Sequence, residues 1–315
     1  VTTPHPVDNP FGPSKKSSST WHHGSLRKPN DGAHSGTTTQ GRRRVRDLDK
    51  VAQQLGERDT AILRSVAEHK FLTIGQIEVL HFENAPGSRS RAARRACARL
   101  RRLGVLGGLT RSVGGTSGGS GGLIHYVDEV GDRLLRRESE RRTRRAFREP
   151  TARFLNHQLG VADAHVGLVR ADRAGQLELL RCDIEPISWR TYTGIGAVRL
   201  TLKPDLYAET ASPPGSEYVD AAFIEIDMGT ESIPTLIRKC REYESYRRQG
   251  IEQDRSDGAF PVVIWSMAAE TDAKAERRRS ALHGAIAKDR RLPEDLFRII
   301  APEQLINITQ KGTSL

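Results

Sequence analysis

Aromatic residues are scarce in this 315-residue sequence, at 5%, and apolar residues of all kinds reach only 36%. That is too little for a chain that is globular throughout, and with 28% charged residues part of the chain holds a core while another part stays solvated. No apolar run approaches the roughly 20 residues that cross a bilayer, and no apolar segment of a signal peptide lies near the start. These absences exclude secreted and membrane-spanning classes and predict a cytoplasmic protein with no membrane partner. Cysteine is scarce as well. Cys97, Cys182 and Cys240 are odd in number, far apart and never in a C-x-x-C pair, which excludes a disulfide scaffold and a zinc–cysteine site.

Acid is what the first half lacks. Residues 1–150 carry 28 Lys and Arg against 15 Asp and Glu, whereas residues 151–315 carry 22 against 24. A basic front half on a near-neutral back half points to a polyanion-binding part joined to something else, and double-stranded DNA is the expected polyanion.

Residues 1–50 read as a tail. The first 40 hold 23 Ser, Thr, Gly, Pro or Asn and five large apolar side chains, too few to offset the entropy of ordering. From Glu57 the pattern turns helical, with Ile62, Leu63, Val66 and Ala67 at helical spacing. Thr73 and Gln76 fit a capping box that starts a second helix. Pro86-Gly87-Ser88 breaks the chain before a third, about Arg89 to Leu103.

This third helix has seven arginines in fourteen residues and no acid. At 100° per residue Ala93, Ala96, Cys97, Leu100 and Leu103 share one face, and Arg91, Arg94, Arg95 and Arg102 gather on the opposite one. A merely solvated helix would mix in Glu for i,i+4 pairs. Two apolar segments, Val105–Val113 and Leu123–Val127, bracket a glycine-rich stretch and predict a hairpin with a long tip; without Lys the loop is no P-loop. Three helices and a hairpin predict a winged helix-turn-helix over 51–128, with Arg89, Arg91, Arg94, Arg95 and Arg102 as DNA-binding residues. An arginine-rich linker helix is expected over 129–150.

The back half alternates. A helix at 154–171 precedes strands at about 177–183, 198–208 and 218–227, a helix at 233–249, a strand at 260–266, a helix at 274–288 and a last strand at 296–300. The fold class is therefore α/β, with an αβββαβ mixed-sheet domain over 151–302 and a tail at 303–315. Strand alternation puts Lys203 with Asp205 on one face, and Glu225 with Asp227 on one face of the next strand. If these strands pair through Pro213-Pro214-Gly215, the carboxylates of Asp205, Glu225 and Asp227 converge, and three such groups need a cation. Hard oxygen donors select Mg²⁺ or Mn²⁺, which polarises phosphate and activates water.

The Pro204-Asp205 step and the Glu225-Ile226-Asp227 triplet in this order of elements resemble PD-(D/E)XK nucleases. Asp205 and Glu225 take the two acidic positions, and Asp227 stands where those enzymes carry lysine. Lys203 and Lys239 are the two candidates to supply the missing cation. Residues 57–300 resemble more specifically the replication-relaxation family of plasmids and mobile elements of Gram-positive bacteria. The resemblance rests on Phe71-Leu72-Thr73, Gln76-Ile77, the arginine-rich helix, Leu155-Asn156-His157-Gln158-Leu159, Pro204-Asp205 and Glu225-Ile226-Asp227-Met228-Gly229-Thr230-Glu231. It implies a role in plasmid replication or DNA relaxation. Asp205, Glu225, Asp227, Lys203 and Lys239 are then the candidate catalytic residues of a Mg²⁺- or Mn²⁺-dependent nicking site, with the first three as metal ligands. The competing reading is a non-catalytic initiator or regulator whose back half mediates homodimerisation or partner contact. His157 and His165 read as packing or surface residues. Tyr243 and Tyr246 read as core or stacking residues, since relaxase-type tyrosines need a His-x-His pair that the folded region lacks.

Overall fold

Three helices of the front half begin where a side chain, Asp47, Thr73 or Asp128, accepts one of the first free N–H groups. A computed structural model describes residues 47–82, 89–110, 122–139 and 147–311, all within the unit Val45–Leu315. The expected tail up to residue 46, the Pro86-Gly87-Ser88 break, the glycine-rich tip at 111–121 and the arginines at 141–145 lie outside the described residues. The elements are α1 (Leu48–Ala52), α2 (Glu57–His69), β1 (Leu72–Thr73), α3 (Ile74–His81), α4 (Arg89–Arg102), β2 (Leu106–Thr110), β3 (Leu123–Val127) and α5 (Glu129–Glu138). Asp59 accepts the Gly56 N–H at 3.0 Å ahead of α2. Thr73 Oγ1 accepts the Gln76 N–H while Gln76 Oε1 accepts the Thr73 N–H, so α3 starts on the reciprocal cap that the sequence predicts.

β3 lies between β1 and β2, antiparallel to both. Ile62, Leu63, Val66, Leu72, Ile77, Ala93, Cys97, Leu100 and Leu106 close the core beneath. Burying an aliphatic side chain of this size contributes roughly 1.5–3 kcal/mol. That is what fixes which face of α4 turns outward.

The back half follows as α6 (Ala152–Arg173), β4 (Glu178–Ile184), β5 (Arg190–Thr193), β6 (Arg199–Leu202), β7 (Leu206–Ala211), β8 (Asp220–Asp227), α7 (Ile233–Arg247), β9 (Val262–Met267), α8 (Asp272–Lys288), β10 (Phe297–Ile300) and α9 (Leu305–Gln310). Five strands form one mixed sheet in the order β10-β9-β8-β7-β4. β8, β9 and β10 are parallel, and β7 is antiparallel to β8 and β4. β9 is buried along its whole length, as its nearly all-apolar sequence predicts. One core lies between the sheet and α7 and α8, around Phe223, Tyr243 and Trp265. The other is on the α6 side, around Leu168, Ile224 and Ile264.

The single strand expected over 198–208 is two strands. β6 pairs with β5 in a separate two-stranded arm, and β7 joins the main sheet. Pro204 causes the break: it has no N–H for a ladder, and its carbonyl is held by the Ser188 hydroxyl at 2.6 Å. Within the expected tail at 303–315, α9 docks with Leu305 buried.

α6 also seats the front half. Gln76 Nε2 donates to Leu159 O at 3.2 Å and to Asp163 Oδ1 at 2.7 Å. Phe71 and Ile124 pack on Leu155 and Leu159. The N-terminal turns of α6 are thereby held between the two halves.

Candidate functional site

The antiparallel register of β7 and β8 pairs Leu206 with Ile224, which brings Asp205, just before β7, beside Glu225 in β8. Both carboxylates are buried, Asp205 6% and Glu225 2% exposed. Asp205 Oδ2 accepts the Ile226 N–H at 2.8 Å, and Oδ1 lies 3.1 Å from His157 Nε2 of α6. Glu225 Oε1 accepts the Tyr243 hydroxyl at 2.7 Å, and Oε2 accepts from Lys239 Nζ at 3.4 Å. Tyr243 and Lys239 both stand on α7. That helix starts at the Ser232 cap with Pro234 in its first turn.

The charges are strongly coupled. Burial, and next the negative charge of Asp205, push the Glu225 carboxyl up to about 8, against the pull of Lys239 and Tyr243. Burial works against the Lys239 charge, but Glu225, Asp205 and Glu231 outweigh it and hold the ammonium above its ordinary range. Burial likewise opposes the charged form of His157, yet its hydrogen bond to Asp205 and the acids around it raise its pKa. The Tyr243 hydroxyl is pushed well up by burial and by Glu225, so it donates and does not ionise.

A cleft of about 180 Å³ opens over this group, lined by Arg153, Phe154, His157, Asp205, Asp227, Glu231, Lys239 and Trp265 among others. Of the sequence-predicted residues, Asp205, Glu225 and Lys239 come together. Asp227 lines the same cleft, but the expected convergence of three free carboxylates does not form. Its Oδ2 is held by Arg278 at 2.6 Å and its Oδ1 accepts the Gly229 N–H at 3.1 Å. Lys203 stands apart, its ammonium 4.8 Å from the centre of the Trp189 ring. Pro204 again is the reason, since it breaks the alternation that would have aligned Lys203 with Asp205. Among the described residues no three His, Cys, Asp or Glu side chains are grouped to hold a metal ion.

His157, Tyr243 and Arg278 belong to the site and were not marked for it in the sequence. Arg278 sits 51 residues beyond Asp227, and no local spacing announces it. His157 and Tyr243 carry a signal only once α6 and α7 are known to flank the β7–β8 pair.

On α4, Arg91, Arg94, Arg95 and Arg102 are exposed and have no acidic partner among the described residues. Arg99 is different: it pairs with the buried Asp59 and belongs to the scaffold. The side chain of Arg89 lies outside the described residues. No helix among the described residues is long and apolar enough to cross a membrane.

A comparison with protein-family models matches residues 63–263, more than half of the chain, to the family described as replication-relaxation. No curated protein and no solved structure matches the chain.

Proposed function

The chain belongs to the replication-relaxation family, and from that premise we propose a DNA-binding protein of replication or DNA relaxation that cuts one strand at the Asp205–Glu225–Lys239 cleft. Residues 51–128 would dock duplex DNA as a winged helix, with the free arginine face of α4 in the major groove and the β2–β3 hairpin along the backbone. Residues 151–302 would act as a PD-(D/E)XK-like unit.

The observation that carries this reading is the position of Lys239. In the sequence motif Asp227 occupies the place of the lysine, yet in space α7 delivers an ammonium to Glu225. Asp205 and Lys239 on the cleft lining, with the Glu225 carboxyl buried beside them, are the parts that phosphodiester cleavage needs. Lys239 would bind the non-bridging phosphate oxygen on which charge grows, a role for which a cation held in place by Glu225 is suited. His157, oriented by Asp205, would take or give a proton at the reacting oxygen.

The donor set suits Mg²⁺ or Mn²⁺ with few protein ligands. Mg²⁺ keeps most of its water shell and is anchored by one or two carboxylates, and each Asp205 oxygen retains a second lone pair beyond its single hydrogen bond. Asp205 and Glu225 would hold the ion, which when bound polarises the phosphate and lowers the pKa of its water. Asp227, tied to Arg278, would shape the cleft and contribute no ligand.

The test is conversion of supercoiled plasmid to open circles with Mg²⁺ or Mn²⁺. Wild type should nick, and D205N should not while still binding duplex. One observation favours the non-catalytic reading: Lys239 and Arg278 already pair with Glu225 and Asp227 from within the chain. A wild type that binds duplex but leaves the plasmid supercoiled under both metals decides for that reading.

A further inference from the structure

We infer that the outer face of the β5–β6 arm is a binding surface for unpaired, single-stranded DNA leading into the cleft, an inference that rests on the DNA-directed reading above. The register pairs Thr191 with Thr201 and Thr193 with Arg199. Alternation continues this face to Trp189 at one end and Lys203 at the other, and the 4.8 Å contact between the Lys203 ammonium and the Trp189 ring shows that they share a side. The opposite face carries Tyr192 and Leu202 into the core between sheet and helices. All six outer residues are exposed, with Trp189 at 37%.

The composition of this face names its occupant. It has one large aromatic ring, two cations, three hydroxyls and no acid. Aromatic faces flanked by cations bind single strands because every base has a face to stack, and cations and hydroxyls meet the phosphates. In a duplex those base faces are already stacked on one another, so an exposed tryptophan favours the unpaired strand. The arm is also rooted at the site. Lys203 is two residues from Asp205, the Ser188 hydroxyl holds the Pro204 carbonyl at 2.6 Å, and the Glu185 N–H donates to the Asp205 carbonyl at 3.1 Å. Phe154, 42% exposed, supplies a second ring on the cleft lining. Two exposed rings, Trp189 on the arm and Phe154 on the cleft lining, thus offer faces on which bases can stack. A strand lying along the arm would therefore be led to Asp205 and Lys239.

The experiment uses the full chain and fluorescence anisotropy with two probes, a labelled oligothymidylate and a labelled duplex. Wild type should bind both. Trp189→Ala should weaken oligothymidylate binding roughly 5- to 150-fold, the range for one lost base stack, and leave duplex binding unchanged. Trp189→Phe should restore most of the loss, which a merely structural role would not require. R94A/R95A should show the converse pattern, with duplex binding weakened and oligothymidylate binding kept. The inference is overturned if wild type binds duplex but not oligothymidylate, or if Trp189→Ala matches wild type on it. It is also overturned if Trp189→Ala only turns a dimer into a monomer, which would make a second copy the occupant. If neither probe binds, the DNA-directed reading fails and this inference falls with it.

Discussion

Lys239 Nζ lies 3.4 Å from Glu225 Oε2, and no other hydrogen bond of this site joins α7's cation to β8's acid. Its neighbour in the fold, the Asp227–Arg278 pair, is shorter at 2.6 Å and joins the same strand to α8. β8 therefore carries two buried carboxylates, each answered by a cation from a different helix, and only the first pair sits beside Asp205. On the proposed reading this division separates a reactive group from a structural one.

The Asp227–Arg278 pair should behave as scaffold. Asp227 is 3% exposed, and removing one partner of a buried pair leaves an uncompensated charge at a cost of about 3–5 kcal/mol. R278A should lower unfolding stability in urea by that order, and D227N/R278A should recover part of it. An R278A protein as stable as wild type would place Asp227 elsewhere in the account.

Duplex binding should depend on α4 and on salt. R94A/R95A should weaken affinity for duplex and flatten the dependence of log K on log salt by about one unit for each lost phosphate contact. Equal slopes for variant and wild type in a titration over several salt concentrations would remove α4 from the DNA interface.

Much of the fold was legible because it rests on local rules. The Thr73–Gln76 cap, the buried stripe of α4 and the apolar run of β9 each follow from residues within one or two turns. β5 was missed because Arg190-Thr191-Tyr192-Thr193 has one apolar residue and pairs only with β6. The merging of β6 and β7 into one expected strand has a single cause, a proline whose effect depends on where its carbonyl is held. Within the cleft, Pro204-Asp205 and Glu225 stood out as acids in otherwise apolar strands. The partners that decide their chemistry come from helices 14 to 48 residues away. Which of Lys203 and Lys239 meets the acids was a question of strand alternation against helix position, and only the break at Pro204 answers it.

Acid should loosen the seam between α2 and α6. His69 Nε2 lies 3.0 Å from His165 Nδ1 with the rings stacked, and burial lowers both, His165 to about 4. A base held neutral in the fold but free to charge when unfolded, near 6.5, contributes its full stability above 6.5. That contribution is lost as pH falls from there toward 4. For His165 the loss at pH 5 is on the order of 1–2 kcal/mol. The raised Glu225 acts with the opposite sign over about 4.5 to 8, so the informative quantity is a difference between proteins. His165→Gln should lose less stability than wild type between pH 7 and pH 5 in urea unfolding, and parallel losses would refute the assignment.

The central claim, that Lys239 from α7 is the cation of a phosphodiester-cleaving cleft, is tested most directly by single-turnover nicking of supercoiled plasmid with Mg²⁺ and saturating protein. Loss of one transition-state donor costs on the order of 100-fold or more. K239A should fall by at least that factor, while K203A, which removes one cation from the binding face of the arm, should fall far less at saturating protein. Nicking that survives K239A, or that K203A abolishes, would contradict it.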